Sequence, residues 1–375
     1  MQIDFCSKYL TGNEIDYIHD VLMSNQLSGD GDYTKKCQEL FSNKYNMINT
    51  MLTTSGTHSL ELSALLLNIQ PNDEVIMPSF TFPSTANAFL LRGAKIIFAD
   101  SCNDHPNLDV NQVEGLVTSN TKAIIPVHYA GVSCDMDLIS KIAAKHGIYV
   151  IEDAAQCLDA FHNNKPLGSI GDIGCFSFHD TKNIICGEGG LISLNNSNFI
   201  NDAEIIREKG TNRSSFFRGE IDKYGWVSLG SSYLPSEILA AFLYAQLEEV
   251  KKITSMKKSV WKYYFDSLKS LNLDLCLPTI PAFSNHNAHI FHIICTSEKE
   301  RNNLLFFLKK RGIQATFHYQ ALHASDFFKN EYDGPPLVNS IKYSNCLLRL
   351  PIYPHLKKTE QNYIIDSIIN FFQDS

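Results

Sequence analysis

YVIEDAAQ (149–156) and CFSFHDTKN (175–183) are the two stretches that decide how this chain is read. Each begins as a short apolar run and breaks off into polar residues, the pattern of a buried strand leaving a sheet. The first run ends on Asp153, a carboxylate that is costly to bury unless it is paired. The second runs through His179, Asp180 and Thr181 to a lone lysine, Lys182, with GEGG (187–190) close behind. Most lysines after a strand are solvated surface residues. One held near an apolar strand end loses part of its preference for the charged form, because desolvation disfavours the ammonium. Such an amine can condense with a carbonyl.

Working outward, the region from about residue 50 to 195 alternates β-rich runs with helical patterns, which predicts a mostly parallel sheet with crossover helices. Strands are expected at 49–54, 74–78, 95–99, 122–127, 149–153, 175–179 and 190–194. Helices are expected at 58–69, 85–93, 135–147 and 201–210. A long helix over 234–253 continues its apolar stripe towards residue 270, with a hinge near 245–255. Beyond it, strands at 288–295 and 313–319 and helices at 298–312 and 360–373 read as α+β, with Gly312 closing the first of these helices. The expected organisation is a large α/β domain over 1–250, including an N-terminal arm, and a small C-terminal α+β domain over 251–375. The block 207–226 shows no clean period and mixes charges with aromatics.

The 375 residues are 44% apolar and 19% charged, ordinary values for a globular chain. A net charge of −8 argues against a general nucleic-acid binder. No apolar run reaches membrane-spanning length, and the N-terminus lacks a signal-peptide pattern, so a cytoplasmic protein is expected. Ten cysteines are scattered with no CxxC pair. That predicts no metal site and a reduced compartment. Buried, inert thiols are expected, with Cys186 set apart only by its closeness to Lys182.

In a sheet of this kind ligands sit off the carboxyl ends of the strands. In TTSGTHSLE (53–61) a strand gives way to Ser55-Gly56-Thr57 and a helix start, whose free N–H groups and dipole suit a phosphate; the same residues also read as an ordinary N-cap. Asp153 suits the ring nitrogen of pyridoxal 5′-phosphate (PLP), which it would keep protonated, with Gln156 near the phenolic oxygen; it also reads as a helix cap. Ser177 is placed for the phosphate and Lys182 for the aldehyde. Phe82 in PSFTFPST (78–85) suits stacking on a flat ring, or a place in the core.

SGTHSLE (55–61), NDEVIMPSFTF (72–82), VIEDAAQ (150–156), GCFSFHDTKN (174–183), GEGG (187–190), REKGTNRSSFFRGEIDKYGW (207–226) and FHYQALH (317–323) together resemble the DegT/DnrJ/StrS family of sugar aminotransferases over nearly the whole chain. The resemblance implies the fold-type I, aspartate-aminotransferase-like architecture. It implies PLP on Lys182, pyridoxamine 5′-phosphate as its amino form, Asp153 at the ring nitrogen and Gln156 at the ring oxygen. Gly56, Thr57, His58 and Ser177 would hold the phosphate, and Phe82 would pack on the ring. It implies a homodimer with shared sites, Ser232 standing where many members place an asparagine that reaches the neighbour's phosphate. His58 stands where relatives usually have a small residue. The implied reaction moves an amino group from glutamate to C4 of dTDP-4-keto-6-deoxy-D-glucose, giving a 4-amino-4,6-dideoxyhexose for surface polysaccharide. The basic groups Arg207, Lys209, Arg213, Arg218 and Lys223, with Tyr224 among them, would hold the diphosphate. Charges balanced by Glu208, Glu220 and Asp222 are the plainer reading of that block. His318 and His323 would line the sugar side. Other readings are amination of another nucleotide keto sugar, amination at C3, and a PLP-binding member without turnover. The dehydratase branch of the family carries a histidine where this chain has Lys182.

Overall fold

The computed structural model describes residues 1–271 and 273–373. Its large sheet takes β1 (Thr50–Thr53), β2 (Glu74–Pro78), β3 (Lys95–Ala99), β4 (Thr121–Ile124) and β5 (Tyr149–Asp153) from the first half of the chain. A short hairpin follows, β6 (Phe161–His162) with β7 (Lys165–Pro166), and then β8 (Ile173–Ser177) and β9 (Gly190–Leu194) complete the sheet. The strand order is β1-β9-β8-β5-β4-β2-β3. The block β3-β2-β4-β5-β8 is parallel, while β9 runs antiparallel to both β8 and β1. This reversal has a direct consequence for Lys182. Parallel neighbours need a helical crossover, but antiparallel ones need only a short connection. Lys182 therefore sits in the loop that carries the chain straight from the end of β8 into β9.

Both faces of the sheet are covered, which is why its strands read as near-continuous apolar runs. One face packs Leu60, Leu62, Phe89 and Ile206 against Met77, Ile151 and Ile192. The other packs Phe41, Leu243, Leu247 and Val250 against Leu52, Phe176 and Leu191. The helix Glu237–Glu248 on that face is buried nearly all round, as its sequence EILAAFLYAQLE suggests. It breaks at Glu249 (φ −95°, ψ 10°) and resumes as Val250–Lys269, so the break falls inside the expected hinge interval.

A second, antiparallel sheet contains β10 (Leu275–Cys276), β12 (Phe291–Cys295), β13 (Thr316–Phe317) and β14 (Leu347–Leu350), in the order β10-β12-β14-β13. The remaining short strand, β11 (Ser284–Asn285), pairs with β6 instead. The second sheet has its own core, with Tyr264, Phe291, Leu304, Leu348 and Ile364. Ile3 lies in that core too, because the N-terminal arm pairs beside Ile313: its N–H donates to the Gly312 carbonyl at 2.8 Å and its carbonyl accepts from Gln314 at 3.0 Å. The expected strands at 288–295 and 313–319 are shorter than their apolar runs. β14 lay outside the expected set, since LLRLP is brief and closed by a proline.

Candidate active site

The helix Gly56–Leu66 begins where β1 ends, and its first turn lies against the end of β8. A Cβ on Gly56 would stand 2.7 Å from the Ser177 Cβ, so only glycine lets the two elements meet this closely. Ser55 is the N-cap, its Oγ accepting from the His58 N–H at 3.1 Å. Thr57 shares a 2.8 Å hydrogen bond with Ser84. The His58 imidazole turns aside, with Nδ1 against the Thr54 hydroxyl and its ring 5.1 Å from that of Tyr233. What His58 presents at the helix start is its backbone.

Asp153, at the end of β5, is only 6% exposed. Its Oδ2 accepts from the Thr85 hydroxyl at 2.8 Å and its Oδ1 from the Ala155 N–H at 3.2 Å. It forms no ion pair among the described residues. Burial pushes its pKa up, while these two donors and the Lys182 charge pull it down. The Gln156 carbonyl oxygen accepts from the Ala130 N–H at 2.6 Å, and its amide donates to the Tyr319 hydroxyl at 3.0 Å. One amide N–H remains free of those bonds. Phe82 is 55% exposed, so it is not a core aromatic; its ring centroid lies 6.0 Å from that of Tyr319.

The backbone N–H of Lys182 donates to the His179 carbonyl at 2.8 Å, while its amine forms no hydrogen bond among the described residues. Burial lowers the pKa of that amine to about 8, with the Asp153 charge opposing and the Arg349 charge adding to the fall. Arg349 comes from β14. Its Nε is buried without a hydrogen-bond partner among the described residues, and its guanidinium lies 4.6 Å from the Phe5 ring. Thr85, Tyr319 and Arg349 were missed in the sequence. For Arg349 a signal was present, a cation between apolar neighbours in LLRLP.

The remaining candidates do not gather at one place. Arg207 points inward, pairing with Asp30 and donating to the Leu52 carbonyl at 3.1 Å, so it does not join a surface cluster. Lys209 and Arg213 each reach Glu208 at 3.2 Å, and Arg218 pairs with Glu204 at 2.9 Å and Glu220 at 2.7 Å. The expected free basic cluster is thus largely neutralised within the chain. The block that carries it is also more ordered than its sequence suggests, with a short helix at Arg213–Phe217 and a bridge between Thr211 and Trp226. Tyr224 packs 5.6 Å from Phe216, while Lys223 and Ser232 are exposed. His318 is half-buried against the Tyr129 hydroxyl at 3.0 Å, and desolvation with the Arg349 charge holds its pKa well below the usual imidazole value. His323 is buried too, 2.6 Å from the Ser79 hydroxyl and beside Tyr332, so it faces packing rather than an open sugar site. Cys186 is buried, and burial pushes its thiol up to about 12, which removes it as a nucleophile.

Comparison with known proteins gives the chain's relatives. A relative from Methanocaldococcus jannaschii, an uncharacterized protein, is 32% identical over 95% of this chain and 94% of its own length. The GDP-perosamine synthase of Escherichia coli O157:H7 is 29% identical over 97% of each chain. A Streptococcus pneumoniae protein solved in apo, PMP and PLP forms superposes with TM-scores of 0.92, 0.91 and 0.91 at 24% identity, covering all of this chain and 98–99% of its own. The model of the DegT/DnrJ/EryC1/StrS aminotransferase family matches residues 8–369. This chain, a transferase on the fold-type I architecture of the PLP-dependent aminotransferases, belongs to the DegT/DnrJ/EryC1/StrS aminotransferase family.

Proposed function

We propose that this chain is a PLP-dependent sugar-nucleotide aminotransferase whose site is built around Lys182 and Asp153. The observation that supports this most is their pairing: a buried carboxylate with no cation bonded to it among the described residues, and an amine of depressed pKa close enough that each shifts the other's titration. The residues fit the cofactor. Asp153 offers an acceptor for a protonated ring nitrogen, and the tight Gly56–Ser177 approach forms a cradle of helix N–H groups and hydroxyls for a phosphate. Phe82 presents an open face for stacking, and Gln156 has a spare N–H for the ring oxygen. When bound, PLP supplies an electron sink that lets an amino group move between two carbon skeletons.

The chain's own residues do the rest. Thr85 and the Ala155 N–H hold the Asp153 carboxylate in one orientation. The Lys182 amine, whose pKa is brought down to about 8 so that a minor share is neutral at physiological pH, accepts and returns a proton as the amino group passes. Arg349, a half-buried permanent cation without a carboxylate partner among the described residues, would take the carboxylate of the amino donor, which we take to be glutamate. We further propose a large domain over 1–250 and a small one over 251–375. The second domain then delivers Arg349 and Tyr319 to a site whose remainder lies on the first.

For the acceptor we propose dTDP-4-keto-6-deoxy-D-glucose, aminated at C4. The GDP-perosamine synthase relative favours one second reading, a GDP keto sugar. We also propose a homodimer. Trp226 at 81% and Phe217 at 68% exposure, with Val227 and Leu229, leave an apolar patch on the charged block that a second subunit would cover. Incubation with PLP, glutamate and each keto sugar, followed by NMR of the product, tests the substrate. A new amine at C4 of the dTDP sugar is expected. An amine at C3, or turnover of only the GDP or UDP sugar, overturns the substrate while leaving the aminotransferase.

A further inference from the structure

Lys257, on the helix Val250–Lys269, is 4% exposed and has no ion-pair partner among the described residues. Its Nζ donates to Oδ1 of Asn183 at 2.6 Å and to the carbonyl of His289 at 3.1 Å. Asn183 directly follows Lys182. Its Oδ1 also lies 3.0 Å from Nδ1 of His289, which as an N–H donor completes that acceptor, and its Nδ2 donates to the Asn287 carbonyl at 2.9 Å. The polar atoms of the Asn183 side chain are thereby all engaged, and each of these ties runs to chain beyond residue 250. The segment they hold has no regular secondary structure between Asp180 and Ile184. The loop's own hydrogen bonds, Lys182 N–H to the His179 carbonyl and Cys186 N–H to the Phe178 carbonyl at 2.8 Å each, are local, whereas the Asn183 ties reach the C-terminal part of the chain.

We propose that Lys257 is a positioning residue for Lys182: through Asn183 it pins the loop between β8 and β9 to the C-terminal part of the chain and so fixes the reactive amine. The proposal rests on the reading of Lys182 as the cofactor-bearing residue. Two acceptors match the two N–H groups of a neutral amine. Burial, aided by the Arg349 charge, brings the pKa of Lys257 down to about 7, so a large share of the side chain is in that form at neutral pH. The apolar stem of Lys257 alone would fill the same space, so packing does not explain the choice of residue.

The test uses the holoenzyme as wild type, Lys257→Met, Asn183→Ala and the double variant, with hydrogen exchange followed by mass spectrometry and steady-state kinetics. Each single variant is expected to raise exchange selectively in the peptide covering 179–186. Each should lower kcat about tenfold or more with little change in KM, since small misplacements of a reacting group are expensive. The double variant is expected to be no worse than the weaker single, the signature of one shared tie. Lys257→Gln, which keeps a donor, should recover part of the loss, and it serves if Lys257→Met does not fold. Exchange raised evenly along the chain, unchanged exchange in 179–186, or additive losses would overturn the proposal. Turnover surviving in Lys182→Ala would instead overturn the cofactor assignment, and the exchange pattern distinguishes the two failures.

Discussion

Replacing Asp153 by asparagine isolates what its charge does, because the shape is kept. The carboxylate accepts one bond from the Thr85 hydroxyl and one from the Ala155 N–H. An asparagine oxygen at the same place retains an acceptor, so the structural loss is that of a weakened cap, about 1 kcal/mol. The electrostatic loss is larger. A unit charge interacting with a partner about 4 Å away at an effective dielectric near 20 is worth about 4 kcal/mol, and removing one preorganised catalytic group typically costs about 2.7–4 kcal/mol. The amino-transfer rate should therefore fall by about a hundredfold to a thousandfold. A second readout needs no turnover. The Asp153 charge holds the Lys182 pKa up against burial, so removing it should carry the amine below its present value of about 8. Single-turnover absorbance changes with glutamate measure the rate, and a pH titration of apoenzyme reactivity towards an amine reagent measures the pKa. A near-normal rate together with an unmoved titration would mean that Asp153 is only a helix cap.

Lys182→Ala should abolish both transamination and the absorbance of lysine-bound cofactor in a protein that still folds, checked by spectrum and activity assay. In the wild-type apoenzyme, the rate of cofactor uptake should rise as pH is raised through about 8, because only the deprotonated amine attacks the aldehyde; a flat profile from pH 6.5 to 9.5 would contradict the depressed pKa. Inactive Lys182→Ala subunits mixed with an Arg213→Ala/Arg218→Ala variant should regain part of the activity if the block 207–226 serves the neighbouring site, whereas self-contained subunits would regain none on mixing.

What the sequence shows is what the backbone pattern controls. Asp153 and Lys182 stand out because each ends an apolar run, and both runs are strands of the main sheet. The helix break at Glu249 is visible because an all-round apolar helix gives way to an amphipathic one there. What it hides is long-range. Nothing near Arg207 announces Asp30, and nothing near Arg218 singles out Glu204, so the block reads as free positive charge until the fold pairs it. Thr85 and Lys257 lie on two helices, Tyr319 on a loop and Arg349 on β14, and only the fold gathers them around Asp153, Gln156, Asn183 and Lys182. The reversal of β9 is equally hidden, since GLISL would fit a parallel strand as well as an antiparallel one.

Two adjacent carboxylates show how the same strand end serves stability and chemistry at once. Side chains alternate along β5, so Glu152 and Asp153 face opposite sides of the sheet. Glu152 is fully buried and accepts four hydrogen bonds, from His128 Nε2 at 3.0 Å, Gly168 N–H at 2.8 Å, and Ile170 and Gly171 N–H at 2.7 Å each. Burial alone would raise its pKa, but these donors outweigh it and the net shift is downward. At Asp153 two donors do not outweigh burial, and the shift is upward. A carboxylate with its acceptor capacity filled anchors the turn 168–171; one left short of donors is ready for a cationic partner. The depressed pKa of Glu152 means that its contribution is present above the unfolded value of 4.5 and is lost as pH falls through the lower folded value. Glu152→Gln leaves buried donors facing a neutral, partly donating amide and should cost about 3 kcal/mol or more in urea unfolding at pH 7. That penalty should shrink below pH 4.5, and the kcat of the folded fraction should stay within a few-fold of wild type. Asp153→Asn should show the reverse pattern, a small stability change and a large loss of rate. If Glu152→Gln lowers kcat as much as Asp153→Asn does while leaving the unfolding curve in place, the division of labour between the two faces of β5 is wrong.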